Sequence, residues 1–125
     1  MEDGRLAEIL TAVPDEDGVD LENAYVIPGL VDVHTHGNSG ADFSDGDYEG
    51  LVKMSRFYLQ NGITSFASAS MTLPYEGLET AFRSAVRLKN EAPEGCARLM
   101  GIQMEGPFFS KRNPPVKPGG LHMRA

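Results

Sequence analysis

Two histidines one residue apart, His34 and His36, close the run Pro28-Gly29-Leu30-Val31-Asp32-Val33-His34-Thr35-His36-Gly37. Side chains alternate along a strand, so Asp32, His34 and His36 share one face while Val31, Val33 and Thr35 share the other. Two imidazoles on one face can reach a single ion. The pattern alone is weak, because a strand end open to water can carry the same residues. The third candidate is Glu105, in Gly101-Ile102-Gln103-Met104-Glu105-Gly106-Pro107-Phe108-Phe109. Its alternative reading is a surface carboxylate or a partner for Lys111. Imidazole and carboxylate together suit zinc, with iron or another first-row divalent ion as alternatives. Such an ion acidifies water toward neutrality and polarises an amide carbonyl, and a hydrolase needs both.

The elements around these residues alternate strand and helix. Leu30 to Val33 is a short apolar, β-branched run, as expected of a strand buried on both faces. Pro28-Gly29 turns the chain before it, and Gly37 permits a turn after it. The Gly-rich stretch 38–46 lacks the spacing and the lysine of a phosphate-binding loop and reads as an active-site loop that needs backbone freedom. Residues 47–61 predict a helix with Tyr48, Leu51, Val52, Ser55, Tyr58 and Leu59 on its inner stripe. Ser44 or Asp45 can cap its start, and Asn61-Gly62 can end it. Ile63 to Ser68 predicts a second strand whose small residues suit a crowded interior. Thr72 and Pro74 open a second helix with Leu78, Ala81, Phe82, Ala85 and Val86 inward, and Pro93 and Gly95 close it. Residues 97–104 predict a third strand, with Met100, Ile102 and Met104 toward the helices and Gly101, Gln103 and Glu105 on the other face. Glu105 then emerges at the same end of a parallel sheet as His34 and His36, where α/β sheets and barrels place their ligands.

Residues 1–27 read as β. Leu6, Ile9 and Leu10 form one apolar run and Ala24 to Ile27 another, parted by the charged turn Asp15-Glu16-Asp17-Gly18. The tail from Ser110 to Ala125 is rich in Pro, Gly and Lys and holds the third histidine, His122.

Composition excludes several functions. A net charge of −7 without a Lys/Arg cluster argues against nucleic acid as a partner. With 41% apolar residues, the chain is not expected to be disordered. A single cysteine, Cys96, leaves no disulfide framework and fits a reducing cytoplasm. No apolar run approaches the roughly 18 residues of a membrane span, and Met1-Glu2-Asp3-Gly4 lacks the basic start of a signal peptide.

The run from Pro28 to Gly37 resembles the first barrel strand of the amidohydrolase superfamily. Within it, Gly101 to Phe109 is similar to the N-acetylglucosamine-6-phosphate deacetylases, and the two motifs lie about as far apart as in that family. The resemblance implies an α/β fold. Residues 28–125 would form the N-terminal part of a (β/α)8 TIM-like barrel, with three strands and two helices. Residues 1–27 would be part of a small β-sandwich, with Met1 a late start. A complete barrel takes about 250 residues, so the resemblance implies a fragment. It further implies His34, His36 and Glu105 as metal ligands, one or two ions, and His122 as a contact to the sugar, against the plainer reading of a solvated tail histidine. The implied reaction is hydrolysis of the acetamide of an amino-sugar phosphate, a small-molecule partner, in a cytoplasmic homo-oligomer. Two further histidines and a catalytic aspartate of the family come from later strands, so no catalytic residue is expected in this chain. Asp32 precedes His34 and is expected to be structural. Two features stand apart from relatives: Gln103 occupies a position where many carry histidine, and the His-x-His pair, absent from some members, suggests a second metal site. Two readings compete. Another amidohydrolase would act on a cyclic amide or a different amino sugar. A non-catalytic barrel fragment would neither turn over substrate nor fold tightly as a monomer, because three strands cannot close a barrel.

Overall fold

A computed structural model describes residues 5–11, 18–106 and 108 of the chain. Its centre is a parallel sheet of three strands, β1 (Leu30–Thr35), β4 (Ile63–Ser70) and β5 (Arg98–Met104), in the order β1-β4-β5. Helix α1 (Tyr48–Gln60) connects the first pair and α2 (Tyr75–Glu91) the second. A two-stranded antiparallel ribbon, β2 (Gly37–Asn38) with β3 (Ala41–Asp42), follows β1 directly. The expected α/β order of strands and helices is therefore present.

The core lies between the sheet and the two helices. Phe66, from the central strand, packs with Leu51, Val52, Met54 and Tyr58 of α1 and with Ala81, Ala85 and Leu88 of α2. On α1 the predicted stripe is met at Leu51, Val52, Ser55 and Tyr58, all buried. Ser55 also ties α1 to the start of β5, since its hydroxyl donates to the Ala97 carbonyl at 2.7 Å and its carbonyl accepts from Ala97 N–H at 3.1 Å. On α2 the stripe is shifted: Leu88 is buried and Val86 exposed. Position 88 continues the i, i+3, i+4 series 78, 81, 85 more closely than 86 does. Near that end, Arg87 stacks on the Tyr48 ring and donates to Glu91. The Glu91 carboxyl is held below its usual range by the Arg87 hydrogen bond first and the Tyr48 hydroxyl second.

The cap of α1 differs from expectation. Asp47 accepts from the amides of Glu49 and Gly50, whereas Ser44 and Asp45 belong to a short 3₁₀ turn capped by Asp42. The stretch 38–46 thus folds as a hairpin and a 3₁₀ turn, and its backbone freedom is used at Ser39, Gly40 and Gly46, all at positive φ. Ser39 and Gly40 both take positive φ, the signature of a tight type I′ hairpin between β2 and β3.

Three expectations about strands fail. The β1 strand was expected to be buried on both faces, yet Leu30, Val31 and Val33 are each more than half exposed, at 54%, 53% and 67%. It is an edge strand here, paired on one side only. The register of β5 against β4 jumps from Phe66↔Leu99 to Ala67↔Gly101, which leaves Met100 as an unpaired extra residue. The alternation flips there, so Leu99 and Ile102 both meet the core and Met100 is exposed. Met104 shares the face of Ile102 but is half exposed at the end of the strand. Finally, Leu6 to Leu10 and Ala24 to Ile27 carry no strand, and only an isolated bridge is present, at Arg5. Leu6, Ile9, Tyr25, Val26 and Ile27 are exposed, and a strand whose apolar side meets no second layer gains little from pairing.

Candidate metal centre

The site forms where β1 and β5 end on either side of β4. His34 lies on β1, His36 just beyond it, and Glu105 just beyond β5. A strand spacing is about 4.8 Å, so β1 and β5 run roughly 9.6 Å apart across the middle strand. Side chains can bridge that gap only over small residues. On β4 the face opposite Phe66, Ser68 and Ser70 carries Ala67 and Ala69. Ala69 is fully buried yet lies outside the helix-side core, which fits its being covered by the site.

The register of β1 against β4 also jumps, from Asp32↔Phe66 to Thr35↔Ser68, an extra residue at Val33–His34. The strict alternation of Asp32, His34 and His36 is broken by this bulge. Both histidines nevertheless reach Glu105. His34 Nε2 lies 3.4 Å and His36 Nε2 3.3 Å from Glu105 Oε1, and the two rings meet edge-on with centroids 5.2 Å apart. One ligand atom from each of the three residues falls within 4.8 Å of the others. The edge of a tetrahedron with metal–ligand bonds of 2.0–2.1 Å is about 3.3–3.4 Å. The donor set suits a divalent ion, and the two histidine–glutamate separations match that edge, while the three atoms together spread to 4.8 Å and would have to draw closer around an ion.

Each of the three candidate residues is held from behind. Asp32 Oδ1 accepts from the His34 backbone amide at 3.0 Å, the structural role expected for it. Gln103 Oε1 lies 2.9 Å from His34 Nδ1. The His36 carbonyl accepts from Phe43 N–H at 2.7 Å, so the hairpin and the 3₁₀ turn behind it fix the backbone of that ligand. Thr35 turns the other way and its hydroxyl meets the Tyr58 hydroxyl of α1. Thr72 Oγ1 donates to the Gly106 carbonyl at 3.0 Å, anchoring the residue that follows Glu105. The composition of 38–46 did not disclose the hairpin, although its Ser-Gly pair is a turn signal. His122 and Lys111 lie outside the described residues.

Gly37 carries the tightest constraint. A Cβ there would sit 2.1 Å from the Ala41 carbonyl oxygen and 2.8 Å from Asp42 Cα. The glycine is required by close approach of two backbones, so the turn it permits is one a Cβ would forbid. Gly37→Ala is expected to pry the hairpin open at a cost of about 1–3 kcal/mol, as for other overpacked sites, and to shift His36. A lower urea midpoint together with weaker zinc binding would show it; an unchanged midpoint would exclude it.

Parallel strands joined by helices, with two histidines and a glutamate at their carboxyl ends, define an α/β domain with a candidate divalent-metal site. The amidohydrolase family model matches residues 25–115, and the chain belongs to that family. Its relatives are more particular. It is 31% identical to the N-acetylglucosamine-6-phosphate deacetylase of Vibrio furnissii over 102 residues, 82% of this chain and 25% of that protein. It is 30% identical to the enzyme of that name from Bacillus subtilis over 122 residues, 93% of this chain and 31% of that protein. The crystal structure of N-acetylglucosamine-6-phosphate deacetylase from Thermotoga maritima superposes with a TM-score of 0.57 at 33% identity, covering 68% of this chain and 22% of that one. The chain thus spans a quarter to a third of the curated relatives it matches. Among the described residues no helix is long and apolar enough to cross a membrane.

Proposed function

We propose that the chain supplies the first metal ligands of an N-acetylglucosamine-6-phosphate deacetylase, which hydrolyses the acetamide to glucosamine 6-phosphate and acetate. The observation that carries this reading is the convergence of His34 and His36 on Glu105, at 3.4 and 3.3 Å, with all three ligand atoms within 4.8 Å of one another. The similarity to proteins of that name supports the substrate. A divalent ion, zinc in this proposal, would supply Lewis acidity for water and for the amide carbonyl. The two imidazoles would hold it through Nε2, and Glu105 would offset its charge.

The proposal extends to the whole protein. Residues 28–125 belong to the barrel, in a cytoplasmic homo-oligomer. His122 touches the sugar, and the site holds one or two ions. The 125 residues alone are inactive, since the family's catalytic aspartate and remaining histidines come from later strands. The test is acetate release from N-acetylglucosamine 6-phosphate, with and without zinc, by this chain and by the same reading frame extended through a full barrel. Release by the extended, zinc-loaded form alone is expected. No release by either form would turn the reading toward another amidohydrolase substrate or a non-catalytic fragment.

A further inference from the structure

We propose that Gln103 is a positioning residue for His34: its side-chain carbonyl accepts from Nδ1–H and so leaves the Nε2 lone pair for an ion shared with Glu105. The inference rests on the metal reading of the site. The two ring nitrogens of His34 face different partners, Gln103 Oε1 at 2.9 Å from Nδ1 and Glu105 Oε1 at 3.4 Å from Nε2. A neutral imidazole carries one N–H, and the hydrogen bond made by one nitrogen decides whether the other can ligate. Free histidine favours the proton on Nε2, the nitrogen that must be bare here. An acceptor at Nδ1 reverses that preference.

A glutamine amide can present either its oxygen or its NH₂ group. Only the oxygen leaves Nε2 available. Gln103 is exposed and makes no other side-chain hydrogen bond among the described residues, so packing does not explain it. It reaches His34 over Ala69, its register partner on β4. His36 is held differently. Its Nδ1 is buried without a hydrogen-bond partner among the described residues. Its backbone is pinned by the hairpin instead. One ligand of the pair is thus oriented through its ring and the other through its main chain.

The experiment compares the wild type with Gln103→Leu and Gln103→Glu at about pH 8, above the ordinary imidazole range. Ring ¹⁵N NMR locates the proton of His34 with and without zinc, and calorimetry gives the zinc affinity. The wild type is expected to carry the proton on Nδ1. Gln103→Leu should move it to Nε2 in the metal-free ring and weaken zinc binding about 10–100-fold, the usual effect of losing a partner behind a ligand. The His36 ring and the melting temperature should not change. Gln103→Glu should behave as the wild type, because a carboxylate can only accept. The proposal is overturned if Gln103→Leu leaves the His34 proton in place, or if Gln103→Glu fails as Gln103→Leu does. Zinc binding absent from the wild type would instead overturn the metal reading, and the proton position in the metal-free ring would still decide the role of Gln103.

Discussion

Glu105→Gln should weaken zinc binding on the order of 100-fold while leaving the fold intact. The substitution keeps the shape of the side chain and removes its charge. Glu105 Oε1 is the atom common to both imidazole contacts, at 3.4 Å from His34 and 3.3 Å from His36. A structural zinc site binds with about 10–16 kcal/mol. Shared over four ligands, that is about 3 kcal/mol for each, or on the order of 100-fold. The residue is exposed and belongs to no core cluster, so circular dichroism and the melting temperature should not move. Glu91→Gln is the control. That carboxylate pairs with Arg87 and Tyr48 on the helical surface and should leave zinc binding unchanged. Zinc titration by calorimetry reads both. An affinity for Glu105→Gln within threefold of the wild type would remove Glu105 from the ligand set and leave it as the surface carboxylate of the plainer reading.

The candidate residues were legible because their placement is local or periodic. His34 and His36 are marked by type and spacing, a weak signal alone, and counting along the third strand puts Glu105 at the same sheet end, but the resemblance of its Glu-Gly-Pro-Phe run is what weighs it toward a metal ligand. The small residues of β4 were visible too, although what they make room for, contact between His34 and Gln103, needs the strand order. What escaped depends on pairing between distant segments. The extra residues at Val33–His34 and at Met100 come from register against β4, and no local pattern marks them. Parity counted across such a bulge is wrong on one side of it, so Met100 was assigned to the helices and is exposed. That Glu105 still points at the histidines owes something to the second half of β5 running in uninterrupted register from Gly101 to Met104. The exposure of Leu30, Val31 and Val33 is likewise a property of strand order: their composition suits an interior strand, and here they edge the sheet.

Phe66→Ala should cost about 3–5 kcal/mol, the range for removing a buried aromatic ring. Phe66 is the largest fully buried side chain, on the strand that pairs with both neighbours. Its ring lies 4.9 Å from that of Tyr58, whose hydroxyl meets Thr35 at the end of β1. The cavity would therefore open between the sheet and α1, directly behind the strand that carries His34. Small domains are stable by only about 5–15 kcal/mol, and a sheet with one strand so exposed has little reserve. The variant is expected to lose hydrogen-exchange protection along β4 and much of its helical signal at 25 °C. Phe57→Ala supplies the comparison, since that ring lies on the outer side of α1 at 44% exposure and should change stability by about 0.5 kcal/mol or less. Equal shifts in urea midpoint for the two variants would mean that the sheet–helix interface does not hold the fold together. A selective loss in Phe66→Ala, accompanied by loss of zinc binding, would show that the metal ligands depend on the same core that pairs β1 with β4.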